Sequence, residues 1–260
     1  MPGGNGFFKS ISSDSIALPA NRAATLGRVG GHSRAAVYGH TPTPTANSDV
    51  WEGAGLYPFQ SAQTKLEILS ASASDTAAGT GARTFTLTGL DGNFNPVSEV
   101  LTLAGVTPVQ TVNNYIRVNG LVIASAGSGN TNAGDVTLRV TGAGATQAIA
   151  RAGYGYSKSC IYTVPTGFTL LVNDLFFAVA GNGNAVNIVY SFTRIGPTGL
   201  ITTTNEYNAN PSTPVQRLPD MGGPVAAQTT LTTRITTIGG VPVGGFAAFE
   251  GYLIDNTQLV

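Results

Sequence analysis

The sequence predicts an all-β protein: an extended N-terminal arm followed by one or two antiparallel β-sandwich or jelly-roll-like modules. Three observations carry this. Apolar and polar residues alternate with a period of two in many short runs from Leu66 onward. Clusters of Gly, Asn, Asp and Pro separate the runs as turns. No apolar stripe of helical period persists long enough for a regular helix, so the helical classes drop out.

Residues 1–50 have neither period and read as the arm. Ser15 to Leu26 has room for a short helix, which Pro19 interrupts. The segment ends in Thr41-Pro-Thr-Pro-Thr45, an extended linker. Trp51 follows as an anchor that packs the arm onto the first sheet. In Arg83 to Gly89, Phe85 and Leu87 share one face, and Thr84, Thr86 and Thr88 share the other. Asp91-Gly-Asn93 supplies turn chemistry, and Val97 to Leu103 completes a hairpin. Val106 to Val112, Tyr115 to Ala124 and Val136 to Val140 are further strands. Thr141-Gly-Ala-Gly-Ala145 reads as a seam, which places a first module at 51–145 and a second at 146–260. The second contains strands at Ser159–Val164, Thr169–Ala180, Val186–Ile195, Leu200–Thr204, Thr230–Thr236 and Phe246–Ile254. The nearly continuous apolar run after Asn173 marks a central strand.

Composition narrows the function. The chain has 260 residues and 42% hydrophobic content, enough for a core, yet charged residues make up only 10%, against roughly 25% in an ordinary soluble protein. Thirteen basic and thirteen acidic residues cancel, and the only lysines are Lys9, Lys65 and Lys158. Without a basic cluster, phosphate neutralisation has no footing, which argues against nucleic acid. No apolar run approaches the ~20 residues that cross a bilayer, so no membrane partner is expected. The start of the chain lacks the basic and apolar regions of a signal peptide. Cys160 is the single cysteine and fits a reducing cytoplasm. So uncharged a surface is either a solvated Thr-, Asn- and Ser-rich β face or one covered by copies of itself or a larger assembly.

The motifs of chemistry are missing. His32 and His40 are the only histidines and sit in the arm without metal-ligand spacing. Cys160, in Lys158-Ser-Cys-Ile-Tyr162, reads as a small buried hydrophobe. Gly127-Ser-Gly129 and Gly142-Ala-Gly144 lack the third glycine and the helix of a dinucleotide site. Asp91-Gly-Asn93-Phe-Asn95 places oxygens at alternate positions, but Pro96 stands where a calcium loop needs its glycine. Acidic pairs suited to glycoside hydrolysis stay open from sequence. The expectation is no catalytic, cofactor or metal site.

A spaced series then acquires meaning. It comprises Asp49-Val-Trp51-Glu-Gly53, Tyr57-Pro-Phe59, Ser74-Asp-Thr76, Gly79-Thr-Gly-Ala-Arg83, Gly89-Leu-Asp91, Glu99-Val-Leu-Thr-Leu103, Tyr115-Ile-Arg117 and Gly127-Ser-Gly-Asn-Thr-Asn-Ala-Gly-Asp135. The segment from Asp49 to Arg139 resembles virion-associated proteins of tailed bacteriophages. Leu103-Ala-Gly105 departs from the Leu-Asn-Gly expected there. Ile161-Tyr-Thr-Val-Pro165 and Phe249-Glu-Gly-Tyr-Leu253 fit the same group. The resemblance implies a structural virion protein made in the host bacterial cytoplasm, foremost a capsid decoration or cement protein. It carries no catalytic residues. A neck, tail or fibre component and a host-glycan binder are the alternatives. Expected partners are the major capsid protein or other virion proteins and further copies of the chain, as a trimer or dimer. The expected interaction residues are Phe7, Phe8 and Ile11 in the arm, with Trp51 and Arg83.

Overall fold

The computed structural model describes residues 31–181, 186–211, 216–219 and 223–258. Phe7, Phe8 and Ile11 lie outside them. In chain order the strands are β1 (His32–Thr41), β2 (Ser48–Asp49), β3 (Thr64–Ser70), β4 (Ala82–Leu90), β5 (Pro96–Thr102), β6 (Val109–Tyr115), β7 (Arg117–Ala126), β8 (Val136–Val140) and β9 (Thr146–Ala150). After them come β10 (Ile161–Thr163), β11 (Phe168–Gly181), β12 (Asn187–Ile195), β13 (Ile201–Ala209), β14 (Gln216–Pro219), β15 (Thr230–Gly239) and β16 (Pro242–Asp255). Among the described residues a single 3-10 turn at Asn256–Gln258 is the only helical element. The protein is all-β, as the alternation predicts.

Two sandwiches result, one inserted into the other. In the inserted sandwich, sheet β6-β3-β8-β9 faces sheet β5-β4-β7. Between them lie Leu66 and Ile68 from β3, Phe85 and Leu87 from β4, Leu121 from β7 and Leu138 from β8. Period-two burial sends these inward and leaves Thr84, Thr86 and Thr88 on the outside. The β4–β5 hairpin closes as expected. The Asp91 carboxylate accepts from the amides of Asn93 (2.8 Å) and Asn95 (2.9 Å), so this loop is a side-chain-capped turn.

In the terminal sandwich, sheet β1-β16-β11-β14 faces sheet β10-β15-β12-β13, to which β2 is added beside β15. Ile188, Tyr190 and Phe192 alternate inward from β12. Phe177 stacks on Tyr190 with ring centroids 5.2 Å apart, and Phe192 meets Phe249 edge-on at 5.8 Å. β11 lies between β16 and β14, so the run after Asn173 is a central strand as predicted, with one face buried and the other half-buried.

Two boundaries differ from the sequence reading. Residues 31–50 are not part of an arm. β1 pairs antiparallel with β16 from His32 opposite Ile254 to Thr41 opposite Gly245, and β2 pairs with β15. The inward positions of β1 are Ala35, Val37 and Gly39, too small to print an apolar alternation. Thr141–Ala145 is likewise not a seam. It is the turn between β8 and β9, which pair from Val136–Ala150 to Arg139–Thr146. β9 escaped notice because its buried residues are Gln147, Ala148 and Ala150.

Gly39 tests the placement of β1. A Cβ built there would lie 2.3 Å from the Cys160 amide nitrogen and 2.6 Å from the Val50 carbonyl oxygen. Both obstacles are backbone and cannot swing aside. Gly39→Ala is therefore expected to destabilise the protein by ~1–3 kcal/mol or more, as overpacking does. Equilibrium denaturation measures it; an unchanged midpoint would contradict the packing of β1.

Candidate functional site

Three places hold the residues singled out by sequence: the junction between the sandwiches, a loop node at one end of the inserted one, and the outer face of sheet β5-β4-β7.

The junction is built by residues 47–59. Asn47 and Val50 donate their amides to the Ile235 and Thr233 carbonyls, so the connector leaves as part of a sheet. Asp49 is fully buried. Its carboxylate accepts from Arg234 Nε at 2.9 Å, from Thr232 at 3.3 Å and from the Tyr57 amide at 2.8 Å. Trp51 is only 4% exposed and packs with Tyr57, Ile161 and Phe59. Its ring meets Tyr57 edge-on at 5.0 Å, and its Nε1 donates to the Gly55 carbonyl. The Tyr57 hydroxyl donates to the Gln147 carbonyl of β9, and burial raises its pKa well above the usual tyrosine value. Trp51 is thus a buried plug between the two sandwiches. His40 Nδ1 lies 2.7 Å from Glu52, which also accepts from Arg151 at 2.9 Å. Arg151 reaches on to Asp135 at 2.8 Å. Asn119 closes the other side by exchanging two hydrogen bonds with the Thr163 backbone.

The loop node centres on Asp75, also fully buried. It accepts from the amides of Ala82 (2.7 Å), Ala133 (2.9 Å) and Gly134 (3.0 Å) and from the Ser70 hydroxyl (2.6 Å). Burial opposes the charge, but these donors outweigh it and hold the carboxyl below its ordinary value. Three of the spaced motifs, Ser74–Thr76, Gly79–Arg83 and Gly127–Asp135, meet here. Close approach sets the glycines: a Cβ on Gly81 would sit 2.1 Å from Asp75 Oδ1, and one on Gly127 2.2 Å from the Gly79 carbonyl oxygen. Arg83 donates to the Gly79 carbonyl at 3.1 Å. Among the described residues it pairs with neither Asp75 nor Asp91, whose oxygens are occupied by local amides.

Chemistry has little to work with at these places. The carboxylates of Asp49, Glu52, Glu67, Asp75 and Asp135 each accept from named structural donors. Cys160 is buried, its thiol pushed up to about 12 by burial. Among the described residues no cluster of His, Cys, Asp and Glu is arranged to hold a metal ion.

The outer face of sheet β5-β4-β7 is different in kind. The register aligns Thr102 with Thr84, Val100 with Thr86 and Val122, and Ser98 with Thr88 and Gly120. Tyr156 bridges to Val122 and extends the middle row. No side chain in these rows is charged. Val100 and Val122 are 60% and 50% exposed. Thr84 and Ser125 satisfy one another at 2.6 Å. Glu99, on the edge strand, turns away and accepts from the Val112 and Asn113 amides and the Tyr115 hydroxyl. Sequence reasoning registered the Thr stripe of β4 but not this face, because its rows join residues from three strands.

No protein-family model and no curated protein matches the chain. Among solved structures, the infectious bursal disease virus VP2 subviral particle is similar at 11% identity, covering 87% of this chain and 73% of that one, with a TM-score of 0.19. A score that low defines no shared fold.

Two outcomes follow from the junction and the node. Trp51→Ala is expected to cost ~3–5 kcal/mol, the range for emptying a buried aromatic site, read by chemical denaturation. Asp75 and Asp135 both have depressed folded-state pKa values. Their contribution is complete above the unfolded carboxylate value of ~4 and is lost as pH falls through the lower folded values. Stability should therefore fall on acidification below about pH 4, and Asp75→Asn should flatten that fall while lowering stability at neutral pH. Stability that rises on acidification would contradict the node.

Proposed function

We propose that this chain is a structural protein of a virus particle and, within that class, a decoration or cement protein on the head shell of a tailed phage. The observation that carries the reading is the outer face of sheet β5-β4-β7, whose cross-strand rows hold no charged side chain. A solvated β face normally carries charges that keep it from associating. This one offers methyl groups, and its Thr84 and Ser125 hydroxyls satisfy one another, so covering it releases apolar surface from water and strips fewer hydrogen bonds than covering a charged face. The sequence resemblance to virion-associated phage proteins supports the same reading, as does the scarcity of charge in the whole chain.

The face docks against the major capsid protein or another copy of the chain. The sandwiches serve as rigid bodies that present it. Attachment by such a surface should resist salt, because screening acts on exposed charges.

The experiment counts the chain in purified particles and repeats the count for Val100→Lys combined with Val122→Lys. Copies comparable in number to the shell protein are expected for the unmodified chain, and a handful per particle would move it to the neck or tail. The paired lysines are expected to abolish incorporation while changing stability by no more than ~0.5 kcal/mol each, as surface substitutions do. Full incorporation of a normally folded double variant would overturn the docking face.

A further inference from the structure

The loop that follows β9 carries an aromatic corner with a cation inside it. Tyr154 and Tyr156 are 53% and 40% exposed, and their rings meet at a right angle with centroids 6.4 Å apart. The loop is held in place by β7 and by Asn132. The Ile123 amide donates to the Gly155 carbonyl at 2.6 Å, and the Ser157 amide donates to the Leu121 carbonyl at 2.9 Å. The Gly155 amide donates to the Asn132 side chain at 2.8 Å. Tyr38, from β1 of the other sandwich, stands close by: burial, then the neighbouring Tyr156, Glu52 and Tyr154, raise the pKa of its hydroxyl.

The cation is Lys158. Its Nζ lies 3.2 Å from the centroid of the Tyr154 ring and 5.8 Å from that of Tyr156. The residue is only 8% exposed. Among the described residues no oxygen accepts from this ammonium, and the two ring faces are its partners. A charge withdrawn from water calls for a counter-charge. The nearby carboxylates are committed elsewhere, since Glu52 and Asp135 both accept from Arg151. The ammonium donors therefore remain for an anion brought from outside.

The rings select the kind of anion. An aromatic face is electron-rich, so it repels a carboxylate and attracts C–H groups. A fitting ligand puts its charge on Lys158 and lays a C–H surface against the tyrosines. A single ammonium suits one carboxylate, whereas phosphate recognition gathers arginine forks or rows of backbone amides. An acidic peptide side chain brings one or two methylenes, too little to cover two rings set at a right angle. A pyranose that bears a carboxylate brings a C–H face, the charge, and hydroxyls to meet the exposed tyrosine hydroxyls. Rigid tyrosines also lose little freedom when a ligand settles on them.

We propose that Lys158, Tyr154 and Tyr156 form a binding site for a carboxylated sugar, such as a uronic acid unit of a polysaccharide. Tyr156 ends the row that reaches it from Val122, so the corner lies at the margin of the docking face. The site is read on the free protein and stands or falls without that face.

The test titrates the full chain with glucuronate and follows the tyrosine ring signals by NMR. Glucose supplies the sugar without the charge, and N-acetylglutamate the charge without the sugar. Saturable binding of glucuronate is expected, at least about tenfold tighter than either control, as one charge-assisted contact provides. Lys158→Met keeps the apolar stem and should erase the preference for glucuronate over glucose. Tyr154→Ala changes an exposed side chain, and keeps the test decisive if the Lys158 variant fails to fold. It should weaken glucuronate about tenfold. Absence of saturable binding, or undiminished binding by either folded variant, overturns the proposal. Equal binding of N-acetylglutamate also overturns it and would assign the corner to an acidic peptide.

Discussion

The buried carboxylate of Asp49 is the constraint on which the rest of the structure depends. A charge wholly removed from water survives only if it is paired and hydrogen-bonded. Arg234, Thr232 and the Tyr57 amide supply that pairing. Arg234 and Thr232 belong to β15 of the terminal sandwich, and Tyr57 begins the path into the inserted one. One side chain therefore fixes where the chain leaves the first body and the direction in which it enters the second. Trp51, two residues on, can plug the junction only because its backbone is set in this way.

From that point the two bodies divide the work. The terminal sandwich holds both ends of the described chain, since β1 lies against β16 over its whole length. The inserted sandwich is closed at one end by the Asp75 node, which binds three loops through backbone amides and needs no cation. The outer rows of its β5-β4-β7 sheet carry no charged side chain. Charge is spent inside the fold, on Asp49, Asp75 and Glu52, and withheld from the face proposed to meet a partner.

Legibility followed the range of the interaction. Phe85 and Leu87 against Thr84 and Thr86, or Ile188, Tyr190 and Phe192 along β12, announce strands because a period of two is local. The Asp91 turn is local as well. β1 was hidden for the opposite reason. Its inward residues must be small where Cys160 and Val50 press against it, so Ala35 and Gly39 replace the expected large apolar residues, and its partner strand lies at the other end of the chain. Asp49 and Arg234 stand 185 positions apart, and no sequence rule joins them. Trp51 was recognised as an anchor, but what it anchors emerged only from the path of residues 51–59. Arg83 lies at the start of β4, where the alternation from Arg83 to Gly89 predicts a strand, and its acceptor is the Gly79 carbonyl because the nearby carboxylates are saturated by amides.

Residues 32–41 belong to the core of the terminal sandwich and do not form an arm. Native-state hydrogen exchange reads this directly, since amides in a core strand open only with the global unfolding of its sheet. The β1 amides hydrogen-bonded to β16 are expected to exchange as slowly as those pairing β16 with β11. Exchange of β1 at the rate of an unprotected chain, with β11 and β16 still protected, would contradict it.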